Sequence, residues 1–169
     1  KLNGKNYIER TVIAAVRNNI AIYAAHTNLD NVKLGVNNKI AEKLGLQNLR
    51  ILSPKKELLR KLVTFCPLAQ AEQVRNALFE AGAGNIGNYD ACSFNVEGKG
   101  TFRGNEKSTP FVGKPGELHT ENELRLEVIY EKWKEGHILD ALKKAHPYEE
   151  VAYDLYTLEN SYQEPGSGM

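Results

Sequence analysis

Two short clusters combine residue types that can do chemistry. The first is His26-Thr27-Asn28-Leu29-Asp30, directly after the apolar run Ile20 to Ala25. An imidazole and a carboxylate four residues apart on a turn can face one cavity, and nitrogen with oxygen donors suits zinc, iron or manganese. In open α/β sheets ligands bind beyond the carboxyl ends of strands, where this turn would sit. The competing reading is structural: Asp30 or Asn31 caps a helix beginning near Lys33 to Val36, and His26 and Asn28 bond to the turn backbone. The second cluster is His146-Pro147-Tyr148-Glu149-Glu150. A histidine beside the paired carboxylates Glu149 and Glu150 could bind a metal or move protons. The structural account, favoured because the backbone needs such a stop here, is that Pro147 ends a helix and solvated acids follow, with His146 near the negative helix end.

Other candidates carry less. His119 and His137 lack partners in the sequence and are expected at the surface. Gly98-Lys99-Gly100 and Gly113-Lys114-Pro115 lack the Gly-Lys-Ser/Thr ending and the following helix of a phosphate loop. Their glycines are assigned to loop geometry. Cys66 and Cys92 make neither a disulfide framework nor a Cys-x-x-Cys pair, which predicts two reduced, packed thiols.

The elements that must hold these residues fall into two groups. Helical spacing of Ile8, Val12, Ala15 and Val16 predicts a helix from about Asn6 to Asn18, followed by Ile20 to Ala25 as a buried parallel strand. Val36, Ile40 and Leu44 share one face of a second helix ending at Gly45, and Asn48 to Leu52 reads as a strand closed by Ser53-Pro54. That is an α/β pattern, too short to be a whole layer. From Lys61 the period changes. The sequence predicts a strand over Lys61 to Cys66 ended by Pro67, a helix over Ala69 to Ala81 stopped by Gly82, and a strand over Tyr89 to Val96. An irregular connection over Glu97 to Asn122 follows, then an alternating strand from Leu124 to Glu131, a helix through Ile138, Ala141, Leu142 and Ala145, and a last strand over Val151 to Leu158. The order βαββαβ is ferredoxin-like. Its first and second strands are separated by the third, so Cys66 and Cys92 would lie about 9 to 10 Å apart, too far for a bridge.

Composition agrees with a seam between the groups. Residues 1 to 60 hold 11 basic and 4 acidic side chains, against 11 and 17 in residues 61 to 169. The whole chain of 169 residues is nearly neutral, at +1, which argues against nucleic acid or an anionic membrane surface as partner. With 41% hydrophobic residues it can bury a core, and disordered, collagen-like and coiled-coil classes are excluded. No apolar run reaches the roughly 18 to 20 residues of a membrane helix, and the first residues lack a signal-peptide core, so a cytoplasmic protein is expected. The chain begins and stops within what reads as continuous sequence, as a fragment of a longer protein does.

The combined motifs resemble one family. His26-Thr27-Asn28-Leu29-Asp30 followed by Gly35-Val36-Asn37 is similar to the Nif-three-like family, also called the GTP cyclohydrolase 1 type 2 homologues. The resemblance extends through Gly87-Asn88-Tyr89-Asp90-Ala91-Cys92-Ser93-Phe94, Gly98-x-Gly100-x-Phe102-Arg103, Pro110-Phe111-Val112-Gly113 and His146-Pro147-Tyr148-Glu149-Glu150-Val151-Ala152-Tyr153-Asp154. It implies that residues 1–55 belong to an α/β metal-binding body. Residues 60–159 would be an inserted α+β ferredoxin-like domain of the PII and CutA kind, and 160–169 a linker back to the body. It further implies a ring-shaped homohexamer with trimeric contacts through the insert, and two divalent metal ions in each complete subunit. Asp30 matches the family's metal-binding aspartate, with His26 beside it. The remaining ligands come from a paired-histidine motif and a His/Glu motif that are absent here. The implied activity is hydrolysis of a nucleotide or related substrate by metal-activated water. The alternative is a non-catalytic binding or assembly module whose insert senses a ligand or gates the ring.

Overall fold

Residues 2–160, 162, 166 and 167 are described by a computed structural model. They fall into two compact units: 2–54 with 166 and 167, and 55–160 with 162.

In the first unit, Asn6 starts helix α1, Tyr7–Arg17, by accepting a 2.8 Å hydrogen bond from the Glu9 backbone N–H. The Glu9 carboxylate in turn accepts from the Lys5 and Asn3 N–H groups, which hold its carboxyl below the usual range. Helix α2 covers Val36–Lys43 and ends through Leu44 at Gly45, whose φ of +73° few other residues adopt cheaply. Strand β1 is the pair Ser53–Pro54, antiparallel to β6, Gly166–Ser167. The strands expected over Ile20 to Ala25 and Asn48 to Leu52 are absent. Ile20, Ile22 and Tyr23 are 61%, 60% and 82% exposed. A buried parallel strand exists only where neighbours satisfy its backbone, and among the described residues none pairs with this run.

The second unit follows the expected ferredoxin-like order. Strand β2, Leu59–Pro67, leads through a three-residue turn to helix α3, Ala71–Glu80. Strand β3 is Phe94–Phe102, β4 is His119–Glu131, helix α4 is Glu135–Ala145, and β5 is Tyr153–Leu158. The sheet order is β3-β4-β2-β5, all antiparallel, so the third strand of the unit separates the first two. Leu62, Cys66, Leu126, Val128 and Tyr130 alternate onto the face that receives Val74 and Leu78 of α3 and Ile138 and Leu142 of α4. Burying each such large aliphatic side chain contributes about 1.5–3 kcal/mol. Both thiols are free, Cys66 in this core and Cys92 half-buried just before β3.

Two boundaries differ from expectation. The second strand begins at Phe94, because Gly87 and Ala91 both take positive φ and hold Asn85 to Cys92 in turns. It then runs to Phe102 through residues expected to be irregular. As an edge strand, open to solvent on most of its length, it tolerates Glu97, Lys99 and two glycines. Its register pairs Phe102 with His119, so β4 starts five residues before Leu124 and the irregular connection shrinks to 103–118.

Candidate functional site

In the first unit, the backbone leaves the run at Ala25 into a turn that closes as one 3₁₀ turn, Leu29–Asn31. Asn31 Nδ2 donates to the Thr27 carbonyl and Asn37 Nδ2 to the Asp30 carbonyl, both at 2.8 Å. Gly35 sits so close under this turn that a Cβ there would collide with the Leu29 carbonyl oxygen. Gly35 is also the cap of α2, which has no side-chain capping bond. The capping role open to Asp30 or Asn31 is therefore not taken, and the Asp30 side chain stands exposed, as does His26. No three His, Cys, Asp or Glu side chains converge on a metal-sized site among the described residues.

The second cluster is pulled apart. His146 ends α4, where its N–H still donates to the Leu142 carbonyl at 2.9 Å, and its ring turns inward until the residue is only 6% exposed. Nε2 lies 2.9 Å from the Phe65 carbonyl oxygen, and Nδ1 lies 3.1 Å from the Tyr148 backbone nitrogen. A backbone N–H only donates, so Nδ1 must be the acceptor and Nε2 must carry the proton. Burial pushes the imidazole pKa down, against the pull of the Phe65 carbonyl and the Glu123 charge. This neutral ring has no lone pair left for a metal, which corrects the reading of His146 as a ligand or proton carrier. Glu149 instead accepts a 2.7 Å hydrogen bond from the Thr109 N–H, anchoring the 103–118 loop, and Glu150 is exposed. His119, expected at the surface without partners, is half-buried on β4, 2.9 Å from Glu121 and with its ring 5.3 Å from that of Phe102.

What this rearrangement builds is a cavity of about 730 Å³ on the sheet face that carries no helices. Phe65 from β2, Val96 and Phe102 from β3, and Glu123 and Arg125 from β4 reach its lining. All five lie on the alternation opposite to the core residues. Phe111 of the 103–118 loop and Tyr148 of the α4–β5 junction complete its aromatic part. Tyr148 donates a 2.8 Å hydrogen bond to Glu123 Oε1, and burial together with that carboxylate raises the phenol's pKa. Arg125 is engaged elsewhere: its Nε is 2.8 Å from Glu127, and its guanidinium lies 6.0 Å from the Phe65 ring centroid. Lys61 binds the other Glu127 oxygen at 2.8 Å, and Lys61 with Arg125 keeps that carboxyl below the usual range.

Sequence reasoning missed Glu123, Phe102 and Tyr148 as a group. Their signal was present in part: extending the alternation of β4 back by one step places Glu123 on the same face as Arg125 and Glu127. It was obscured because the strand was read from Leu124, one residue after Glu123, while Phe102 fell inside the connection assigned to Glu97 to Asn122.

The family model for Duf34/NIF3 (NGG1p interacting factor 3) matches residues 1–152. A protein of Halalkalibacterium halodurans named GTP cyclohydrolase 1 type 2 homolog is 47% identical over 160 residues, 94% of this chain and 43% of the relative. The protein of the same name in Bacillus subtilis is 44% identical over the same shares. The solved Bacillus cereus protein related to NIF3 matches with a TM-score of 0.73 and 42% identity, over 98% of this chain and 44% of that one. The chain thus spans less than half the length of these relatives.

Proposed function

The chain belongs to the Duf34/NIF3 family, and from that premise we propose that it supplies Asp30 to the divalent-metal centre of a hydrolase acting on a nucleotide or related substrate. The observation that carries this reading is the state of the Asp30 carboxylate. It sits on a turn, Leu29–Asn31, braced by Asn31, Asn37 and Gly35, it is exposed, and it is relieved of any capping duty. A fixed anionic oxygen donor of this kind fits one position in the shell of zinc, iron or manganese, and His26 is the nearest nitrogen donor in sequence. The described residues do not complete a ligand set, so the other ligands are assigned to the rest of the protein. A metal bound there supplies a water made nucleophilic at neutral pH and a positive charge against the developing oxyanion. The chain's own part is to hold the carboxylate: the two asparagine amides fix the turn backbone while the Asp30 oxygens stay free.

The test is metal stoichiometry and a nucleotide panel on the intact protein, wild type against Asp30→Asn. Asparagine caps helices about as well as aspartate does but replaces an anionic ligand with a neutral one. Lower metal content and turnover, with fold and homo-oligomeric assembly retained, is the expected result. Equal metal and turnover in both forms overturns the assignment.

A second reading is favoured by the cavity of unit 55–162: a binding or assembly module that takes a small molecule or gates a ring-shaped homohexamer. Sedimentation of the intact protein checks the assembly, and a monomer would exclude the gate.

A further inference from the structure

The cavity on the open sheet face has a chemistry of its own, independent of Asp30. Glu123 is only 8% exposed, yet its carboxylate receives one neutral hydrogen bond, from Tyr148, and makes no ion pair among the described residues. Arg125, the cation beside it on the same face, is already bound to Glu127 and laid toward Phe65. A carboxylate taken out of water without a cation is costly, and that cost falls if a positive group enters the cavity. The surroundings suit such a group. The Tyr148 ring centroid lies 5.9 Å from that of Phe102 and 6.3 Å from that of Phe111, and the Tyr148 ring is tilted against each rather than stacked on it. Aromatic faces attract cations electrostatically. Glycine at position 100 is what lets Glu123 lie over the strand, because a Cβ there would collide with its carboxylate. A volume of about 730 Å³ is ample for a small organic molecule.

We propose that this cavity binds a planar organic cation, of the amidinium or protonated amino-heteroaromatic type. Its N–H edge meets Glu123 and its ring lies against Phe102, Phe111 and Tyr148. The carboxylate supplies charge-assisted acceptors for two N–H groups, and the rings supply the apolar and cation-attracting walls. The proposal rests on the ligand-binding reading of unit 55–162 and is independent of the metal centre.

The experiment titrates the 169-residue chain with benzamidine, benzoate and benzyl alcohol, by calorimetry and by backbone amide shifts. Benzamidine is expected to bind, to move the amides of Gly98 to Arg103, and to outcompete the other two by about tenfold or more, the scale of a charge-assisted hydrogen bond. Glu123→Gln, which keeps an acceptor for Tyr148, should weaken benzamidine binding by a similar factor, and Phe111→Ala, in the loop, should also weaken it. A chelator should leave benzamidine binding unchanged. Equal binding of all three probes, or undiminished benzamidine binding in Glu123→Gln, overturns the proposal. If Glu123→Gln does not fold, undiminished binding in Phe111→Ala does the same. Benzoate alone shifting the cavity amides removes the cation assignment and keeps the ligand-binding reading, whereas no shift from any probe removes both.

Discussion

Tyr148 and Glu123 meet across the open face of the antiparallel sheet, phenol to carboxylate at 2.8 Å, and so tie the α4–β5 junction to the middle of β4. Glu123 is buried, so the Tyr148 hydroxyl is its main compensation within the fold. Tyr148→Phe keeps the ring and removes that donor. It should lower stability by about 1–3 kcal/mol, the cost of leaving a buried polar group unsatisfied. Urea denaturation of the two proteins measures this, and an unchanged midpoint would mean that water replaces the phenol.

His146 makes a prediction about acid. Its folded pKa is depressed by burial, so below the ordinary imidazole value of about 6.5 the unfolded chain binds a proton that the folded one refuses. Stability from this residue is present above that value and declines as pH falls below it. A His146→Gln variant should be less stable near pH 7.5 and lack this part of the decline. The ring's nitrogen shifts, read by NMR at neutral pH, should show the Nε2–H tautomer, and an imidazole titrating above 6.5 would contradict the assignment.

The cysteines should differ in reactivity. Cys66 is fully buried, and burial with the Glu123 charge pushes its thiol up to about 11, whereas Cys92 is half-buried. Iodoacetamide on the native protein should modify Cys92 first and reach Cys66 only on unfolding, as peptide mass spectrometry would show. Cys66→Ala should cost about 1–2 kcal/mol through lost packing.

Two glycines should respond in opposite directions. Gly136 lies in α4 with open space where a Cβ would go, so Gly136→Ala should stabilise by about 0.5–1 kcal/mol. At Gly35 the added methyl meets the Leu29 carbonyl and Val32, and Gly35→Ala should destabilise by about 1–3 kcal/mol and displace the Asp30 turn. Thermal melts report both, and amide exchange around Asp30 reports the second.

Much of the architecture was legible in the sequence where a local period sufficed. The two-residue alternation around Leu124 to Tyr130 and the helical spacing of Val74 with Leu78 and of Ile138 with Leu142 are local patterns, and the matching elements fold as read. The apolar run Ile20 to Ala25 misled for the same reason in reverse: its composition suits a buried strand, but a strand exists only with a neighbour to pair with. Phe94 to Phe102 was half missed, because an edge strand need not alternate and its glycines imitate a loop.

By itself, then, the sequence determined the ferredoxin-like element order, the placing of Asp30 on a turn after an apolar run, and the family resemblance, since these depend on residues near one another along the chain. Only the tertiary structure decided that His146 is a neutral, fully bonded core residue and that Glu123 is buried beside Tyr148 in a cavity. Their partners lie 81 and 25 residues away, Phe65 for His146 and Tyr148 for Glu123. The protonation and exposure of a polar side chain are set by the groups that the fold brings to it across such separations, and no local spacing encodes them.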